Sequence, residues 1–153
     1  MDNLILLWYD VPMSESSIIP WYIAGLAFEC SECGRCCSGP EEGYVWATPK
    51  ELDGIAEELG MTSEAFRKKY ARKVGRRWSL VECPATHNCI FVEQGKCRVY
   101  GVRPTQCRTW PFWKGNVESP EEWAWAGQRC EGINRGKLHS VEHIQRLASM
   151  SDE

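Results

Sequence analysis

Apolar and polar positions along this chain change period every ten to fifteen residues, so the pattern predicts many short elements rather than a few long ones. The clearest run follows Thr48-Pro49-Lys50-Glu51. Leu52, Ile55, Ala56 and Leu59 fall at i, i+3, i+4 and i+7, one face of a helix. Thr48 can accept from the N3 amide, Pro49 suits the first helical position, Glu51 completes a capping box, and Gly60 stops the helix. A second helix is predicted after Thr62, with Phe66, Tyr70 and Val74 as its apolar stripe and Gly75 as its stop. Arg67, Lys68, Lys69, Arg72, Lys73 and Arg76 then make its other face, which reads first as a wet helix surface and second as a nucleic-acid patch. Shorter apolar runs predict strands. Residues 18–29 (IIPWYIAGLAFE) lead into Cys30, 43–47 follow the loop signal Gly39-Pro40, and 78–82 form a third run. Residues 90–93 and 98–100 flank Gln94-Gly95-Lys96 as a hairpin. From Gly101 to Gly136 the chain is rich in Pro, Gly and Trp without a period, and it reads as irregular chain wrapped around a site. Val141, Ile144, Leu147 and Ala148 predict a last amphipathic helix over 141–149, followed by a fraying tail.

The expected fold is therefore a small α+β domain with helices, a short hairpin and much irregular chain organised around a metal site. Its expected divisions are an N-terminal extension over 1–20, a cysteine-cluster domain over 21–135, and a C-terminal helix and tail over 136–153.

Composition narrows the function classes. A chain of 153 residues fits one domain with a real core, and 43% hydrophobic residues exclude wholesale disorder. A net charge of −3 argues against a nucleic-acid partner that uses the whole chain. Eight tryptophans either shield a site from water or fill the core. The N-terminal apolar stretch LILLWY is too short and lacks the basic flank of a secretory signal, and no segment reaches the ~18 apolar residues of a membrane span. The expectation is a cytoplasmic protein without a membrane partner, where clustered cysteines serve metal or redox chemistry rather than disulfides.

The chain carries nine cysteines, and four of them stand in Cys30-Ser-Glu-Cys33-Gly-Arg-Cys36-Cys37. Thiolates this close repel one another unless a cation neutralises them. Cys30-x-x-Cys33-Gly34 has the knuckle pattern of zinc ribbons, in which the glycine permits the turn around sulfur. Cys33-x-x-Cys36 overlaps it, and C-x2-C-x2-C also opens ferredoxin motifs. The immediate Cys37 departs from those motifs. In extended backbone, neighbours point to opposite faces, so Cys37 would bind a second metal, join a polynuclear site, or pack away. Downstream lie Cys83, Cys89, Cys97, Cys107 and Cys130. Arg103 and Arg108 flank Cys107, and guanidinium groups there would offset the charge of −2 that four thiolates leave on one zinc. His87 lies between cysteines, and His139 and His143 stand at i, i+4. His87 could be a ligand, and the His139/His143 spacing can bind metal, but with no carboxylate or cysteine known to be near, surface histidines are the preferred reading.

The CxxCxxCC run, the capped helix, the C-x7-C hairpin, RPxxCRxxPF and the late Cys130-x-Gly132-Ile133 together resemble the YkgJ-type cysteine-cluster proteins, a family of zinc- or iron-chelating domains. The resemblance covers roughly residues 21–135. It implies zinc or iron, mononuclear or as an Fe–S cluster, held by Cys30, Cys33, Cys36, Cys37, Cys89, Cys97, Cys107 and Cys130, and it leaves Cys83 as an extra. Glu131 stands where the resemblance implies proline. The cysteine region of flagellin lysine methylases looks similar, which links such clusters to an enzyme. Three functions follow: a metal-binding protein, an Fe–S redox or protein-modifying component, and a zinc-finger-like adaptor supported only by the Arg67–Arg76 segment. No GxSxG, P-loop, GxGxxG or HExxH is present, so no catalytic residue is assigned.

Overall fold

The computed structural model describes residues 19–151. Most of the expected N-terminal extension, its signal-like stretch, and the last two residues of the tail lie outside the described residues. The described chain is α+β, with short antiparallel sheets and short helices.

Strand β1 (Leu26–Phe28) is what remains of the apolar run ahead of Cys30, because residues 20–25 turn instead. Strand β2 (Val45–Ala47) feeds helix α1 (Pro49–Glu58), which starts at the capping box read from the sequence: Thr48 Oγ1 accepts from Glu51 N at 3.2 Å, and Thr48 N donates to Glu51 Oε2 at 2.8 Å. Leu52, Ile55 and Ala56 are its buried face.

Helix α2 (Ser63–Tyr70) ends five residues before the predicted stop at Gly75. Ala71–Val74 form strand β3 and pair with strand β4 (Arg77–Leu80), which also pairs with β2. Tertiary pairing overrides the helical period here: residues 71–74 are taken into the ladder with β4. The basic face is therefore divided between elements. Arg67 pairs with Asp53 at 2.6 Å, and Arg72 pairs with Glu42 at 2.8 Å while covering the Tyr44 ring. Arg77 lies over Trp46.

The expected hairpin is present as β5 (Val92–Glu93) and β6 (Lys96–Cys97), with the two-residue turn Gln94-Gly95 at φ 50° and 78°. Both positive angles are what a tight hairpin of this kind requires. Cys97 thus sits within the ladder, opposite Val92.

Residues 101–136 are more regular than the sequence reading allowed. They contain α3 (Thr105–Thr109), α4 (Lys114–Val117) and α5 (Pro120–Arg129). Helix α5 starts at Ser119, whose side chain accepts from Glu122 N, with Pro120 at the first position. Its buried face, Trp123 and Ala126, continues into Cys130. Strand β7 (Ile133–His139) crosses the 135/136 boundary and pairs antiparallel with β1, with a register shift between Ala27 and Phe28. Helix α6 (Val141–Met150) closes the chain and buries Ile144.

Two cores result. One gathers Leu26, Phe112, Val117, Trp123, Ala126, Cys130, Ile133 and Ile144 around β1, β7, α5 and α6. The other gathers Leu52, Ile55, Phe66, Leu80, Phe91 and Val99 around α1, α2 and the three-stranded sheet. Helix α3 touches both sides, packing against α6 and β2. No helix among the described residues is long and apolar enough to cross a membrane.

Candidate metal centre

A cavity of about 480 Å³ lies between the two cores. Leu80, Phe91 and Val99 face it from one core, and Phe28 and Cys130 from the other. Cys30, Cys33, Cys36, Cys37, Cys89, Cys97, Cys107 and Cys130 all line it. Cys83 does not. It sits in the turn 83–87, where His87 N donates to Cys83 O at 2.8 Å. Local hydrogen bonds, that of Thr86 first, lower the Cys83 thiol pKa.

The cysteines arrive on several separate supports. Residues 35–37 form one 3₁₀ turn after Gly34, which takes φ 72°. Glycine is required there twice over: the angle is left-handed, and a Cβ would overlap the Gly95 carbonyl at the hairpin tip. The turn also corrects the expectation for Cys36 and Cys37. A helical turn, unlike extended backbone, places neighbouring side chains on adjacent flanks, and their sulfurs stand 3.7 Å apart. Cys37 O accepts from Cys89 N at 2.7 Å, which ties the first cluster to the chain entering the hairpin.

Cys107 is held by α3, and α3 is pinned at two points. Glu51 Oε1 accepts from Thr105 N and Oγ1, both at 2.6 Å, so the carboxylate that caps α1 also fixes the start of α3. Burial pushes the Glu51 carboxyl up, but the hydrogen bonds from Thr105 and Thr48 outweigh it and hold it below the usual carboxylate range. Gln106 Oε1 accepts from Trp46 N at 2.6 Å while its amide donates to Tyr44 O at 3.0 Å, completing the outer edge of β2.

The last turn of α5 and the residues after it strap down the cluster loop. The Arg129 guanidinium donates to Arg35 O at 3.4 Å and to Ser38 O. Glu131, the residue where proline was expected, accepts from Ser31 Oγ at 2.8 Å and lies 3.6 Å from Arg35. Glu29 N donates to Gly132 O at 3.2 Å, and a Cβ on Gly132 would collide with the Glu29 carbonyl oxygen.

The thiols feel one another. Hydrogen bonding with Cys37, then desolvation, pushes Cys36 far above the ordinary thiol range; its surface is open on one side while neighbouring groups crowd the sulfur. Desolvation pushes Cys89 up to about 11 and Cys107 up to about 12, and it raises Cys97 as well. The charges of Cys36, Cys89 and Cys97 add to the rise at Cys107. Cys36, Cys89, Cys97 and Cys107 are thus electrostatic neighbours. Arg103 opposes the rise at Cys36, Cys97 and Cys107, as expected of a cation beside thiolates. Its guanidinium lies 3.5 Å over the Tyr100 ring and donates to Tyr100 O at 2.8 Å. The Tyr100 phenol is in turn raised, first by its hydrogen bond with Cys30.

Arg108 behaves differently from the expectation. It points away from the cavity to Thr105 Oγ1 at 2.9 Å and Glu51 at 3.8 Å, because α3 turns that face outward. His87 lines the cavity and stands 4.0 Å from Glu82, whereas His139 and His143 stack on each other, with His139 bonded to Phe28 O. Arg129, Tyr100 and Trp110 are cavity residues that sequence reasoning did not single out. No three Cys, His, Asp or Glu side chains among the described residues stand as a ready-made metal group. The donor chemistry nevertheless suits a soft or borderline cation, with eight thiols on one cavity and a guanidinium beside them.

A stretch of 94 residues is 35% identical to an uncharacterized protein of Methanocaldococcus jannaschii, covering 60% of this chain and 48% of that protein. The chain thus spans about half the length of the curated relative it matches. No solved structure matches it. Residues 29–131, from the residue before the first cysteine of the cavity to the residue after the last, match the CxxCxxCC family, described as a "putative zinc- or iron-chelating domain", and the chain belongs to that family.

Proposed function

We propose that this protein binds zinc or iron through the thiolates of the central cavity, with the electrostatic neighbours Cys36, Cys89, Cys97 and Cys107 as one ligand set. Cys30, Cys33, Cys37 and Cys130 line the same cavity and would hold a second ion or the other corners of a polynuclear cluster. The carrying observation is that eight of nine cysteines, drawn from four separate stretches of sequence, face one cavity, and that four of them perturb one another's ionisation. A cation offsets the desolvation and the mutual repulsion that otherwise keep these thiols protonated, and binding it would draw the sulfurs inward. The metal would supply charge neutralisation and a cross-link between the two cores. If it is iron, it would also supply one-electron chemistry.

A second reading, an Fe–S redox or protein-modifying component, draws on the aromatic lining. Tyr44, Trp113 and Trp125 stand at the cavity, and Trp125 is 60% exposed, so the centre is approachable by another molecule. The adaptor reading loses its support, because the basic residues of 67–76 are split between α2, β3 and the turn after it, and Arg67 and Arg72 are engaged in ion pairs. The metal reading carries a cytoplasmic location with it, since adjacent thiols persist as ligands only under reducing conditions.

Anaerobic purification followed by elemental analysis and an absorption spectrum tests the proposal. Zinc gives a colourless protein, and an Fe–S cluster a brown one. Less than ~0.2 zinc or iron per chain, with every thiol titratable, refutes it.

A further inference from the structure

Three described tryptophans place their indole N–H on an oxygen: Trp21 on Val117 O, Trp113 on Gln106 O and Trp123 on Asn134 Oδ1, each at 2.8–2.9 Å. Trp110 does not. Its Nε1 is shut off from water and has no hydrogen-bond partner, yet its side chain lines the cysteine cavity. A buried donor without an acceptor is rare in folded proteins, because the cost of stripping its water is not returned.

The place of Trp110 says what the acceptor is. It follows the last residue of α3, three positions after Cys107, so the two side chains share one side of that turn and both reach the cavity. Two carbonyls of cavity residues nearby in sequence are already engaged: Gln106 O accepts from Trp113, and Pro104 O from the first turn of α3. The ring is braced edge-on against Trp113, 4.7 Å between centroids at 82°, and α3 itself is pinned by Glu51 and Gln106. Trp110 and Cys107 are therefore carried on one braced turn at the cavity wall.

We propose that the Trp110 indole N–H donates to the metal-bound sulfur of Cys107. The inference rests on the metal-binding reading above and adds a residue that is no ligand. A thiolate shared with a metal keeps lone pairs that accept hydrogen bonds, and a donor there offsets part of the negative charge that a four-thiolate set retains. Trp110 then acts as a positioning and charge-balancing residue.

The test uses the full chain, reduced and stripped of metal, with its tryptophans labelled with nitrogen-15. The Trp110 indole signal is the one absent from Trp110→Phe. On adding zinc, its proton is expected to move downfield and to exchange more slowly with water. With cobalt(II) in place of zinc, Trp110→Phe should show its sulfur-to-metal charge-transfer band at lower energy than wild type, because a thiolate without the donor gives up its electron more readily. Retention against a competing chelator should fall roughly tenfold. An indole signal that does not move on loading, or cobalt spectra that superimpose, overturns the inference while leaving metal binding intact; an N–H resting on the Trp113 ring would give that result. Failure of the wild-type protein to take up either ion overturns the metal-binding reading and this inference with it. If Trp110→Phe does not fold, the Trp110 indole signal is assigned instead by its through-space contacts with the Trp113 ring, and the wild-type titration decides the matter.

Discussion

Metal uptake should release several protons under conditions where ordinary thiols would release almost none. The perturbation is loading at pH 9.5. A thiol of ordinary pKa ~8.5 is then only ~0.1 protonated, so four such ligands would release less than about one proton per ion. The cavity thiols are different. Cys89, at about 11, and Cys107, at about 12, still hold their protons, and Cys36 lies higher again. Loading this ligand set should therefore release roughly three protons per ion, with Cys97 adding part of a fourth. The assay is a pH-stat titration of reduced, stripped protein with cadmium(II), a thiophilic ion that hydrolyses less than zinc at this pH. Release of one proton or fewer would show that these thiols are not desolvated neighbours or are not the ligands. The sign for folding is the opposite of that for affinity. In the stripped protein these raised values favour the protonated fold, so stability is greatest below ~8.5 and falls as pH rises toward 11 and 12. Metal affinity increases over the same window.

Further outcomes follow from single contacts. Cys83→Ser should leave metal content unchanged, while Cys107→Ser should lower it in the same elemental analysis; equal losses would mean that the cavity does not mark the site. Arg129→Ala should loosen the strap on residues 35–38 and weaken metal retention by on the order of fivefold, read by chelator competition, because the lost hydrogen bonds are exposed ones. Arg108→Ala should leave retention unchanged in that assay, since its guanidinium faces Thr105 and Glu51. Phe66→Ala, at a fully buried position stacked on Phe91, should cost about 3–5 kcal/mol in urea unfolding. Glu51 contributes stability that is present above the unfolded carboxyl value of ~4.3 and is lost as pH falls through its lower folded value, so Glu51→Gln should flatten the acid limb of a pH–stability curve.

Local signals in the sequence were readable wherever the structure is locally determined. The Thr48–Glu51 box, the α1 stripe and the Gln94-Gly95 turn each depend on residues within a few positions of one another. Helix α5 carried the same kind of start in Ser119-Pro120-Glu121-Glu122, but the Trp- and Gly-rich surroundings hid a stripe of only Trp123, Ala126 and Cys130. The end of α2 was not readable, because Ala71–Val74 become a strand through pairing with residues beyond Gly75. For the candidate site, the sequence singled out the eight cysteines that line the cavity, but not the residues that support them. Arg129, Trp110 and Tyr100 matter only because folding brings them to the cavity. Arg108 looked equivalent to Arg103 in sequence, and only the facing of α3 separates them.

The strap between the two ends of the described chain sets an order in time. His139 meets Phe28 O across 111 residues, and Glu131 meets Ser31 across 100. A ribosome adds ~5–20 residues per second, so the Cys30–Cys37 loop waits on the order of 5–20 s after synthesis before its holding surface exists. Through that interval four thiols are exposed to oxidants and stray ions with no cavity around them. On the metal-binding reading, an ion that needs the whole cavity would be taken up late, after the residues that close it have been made.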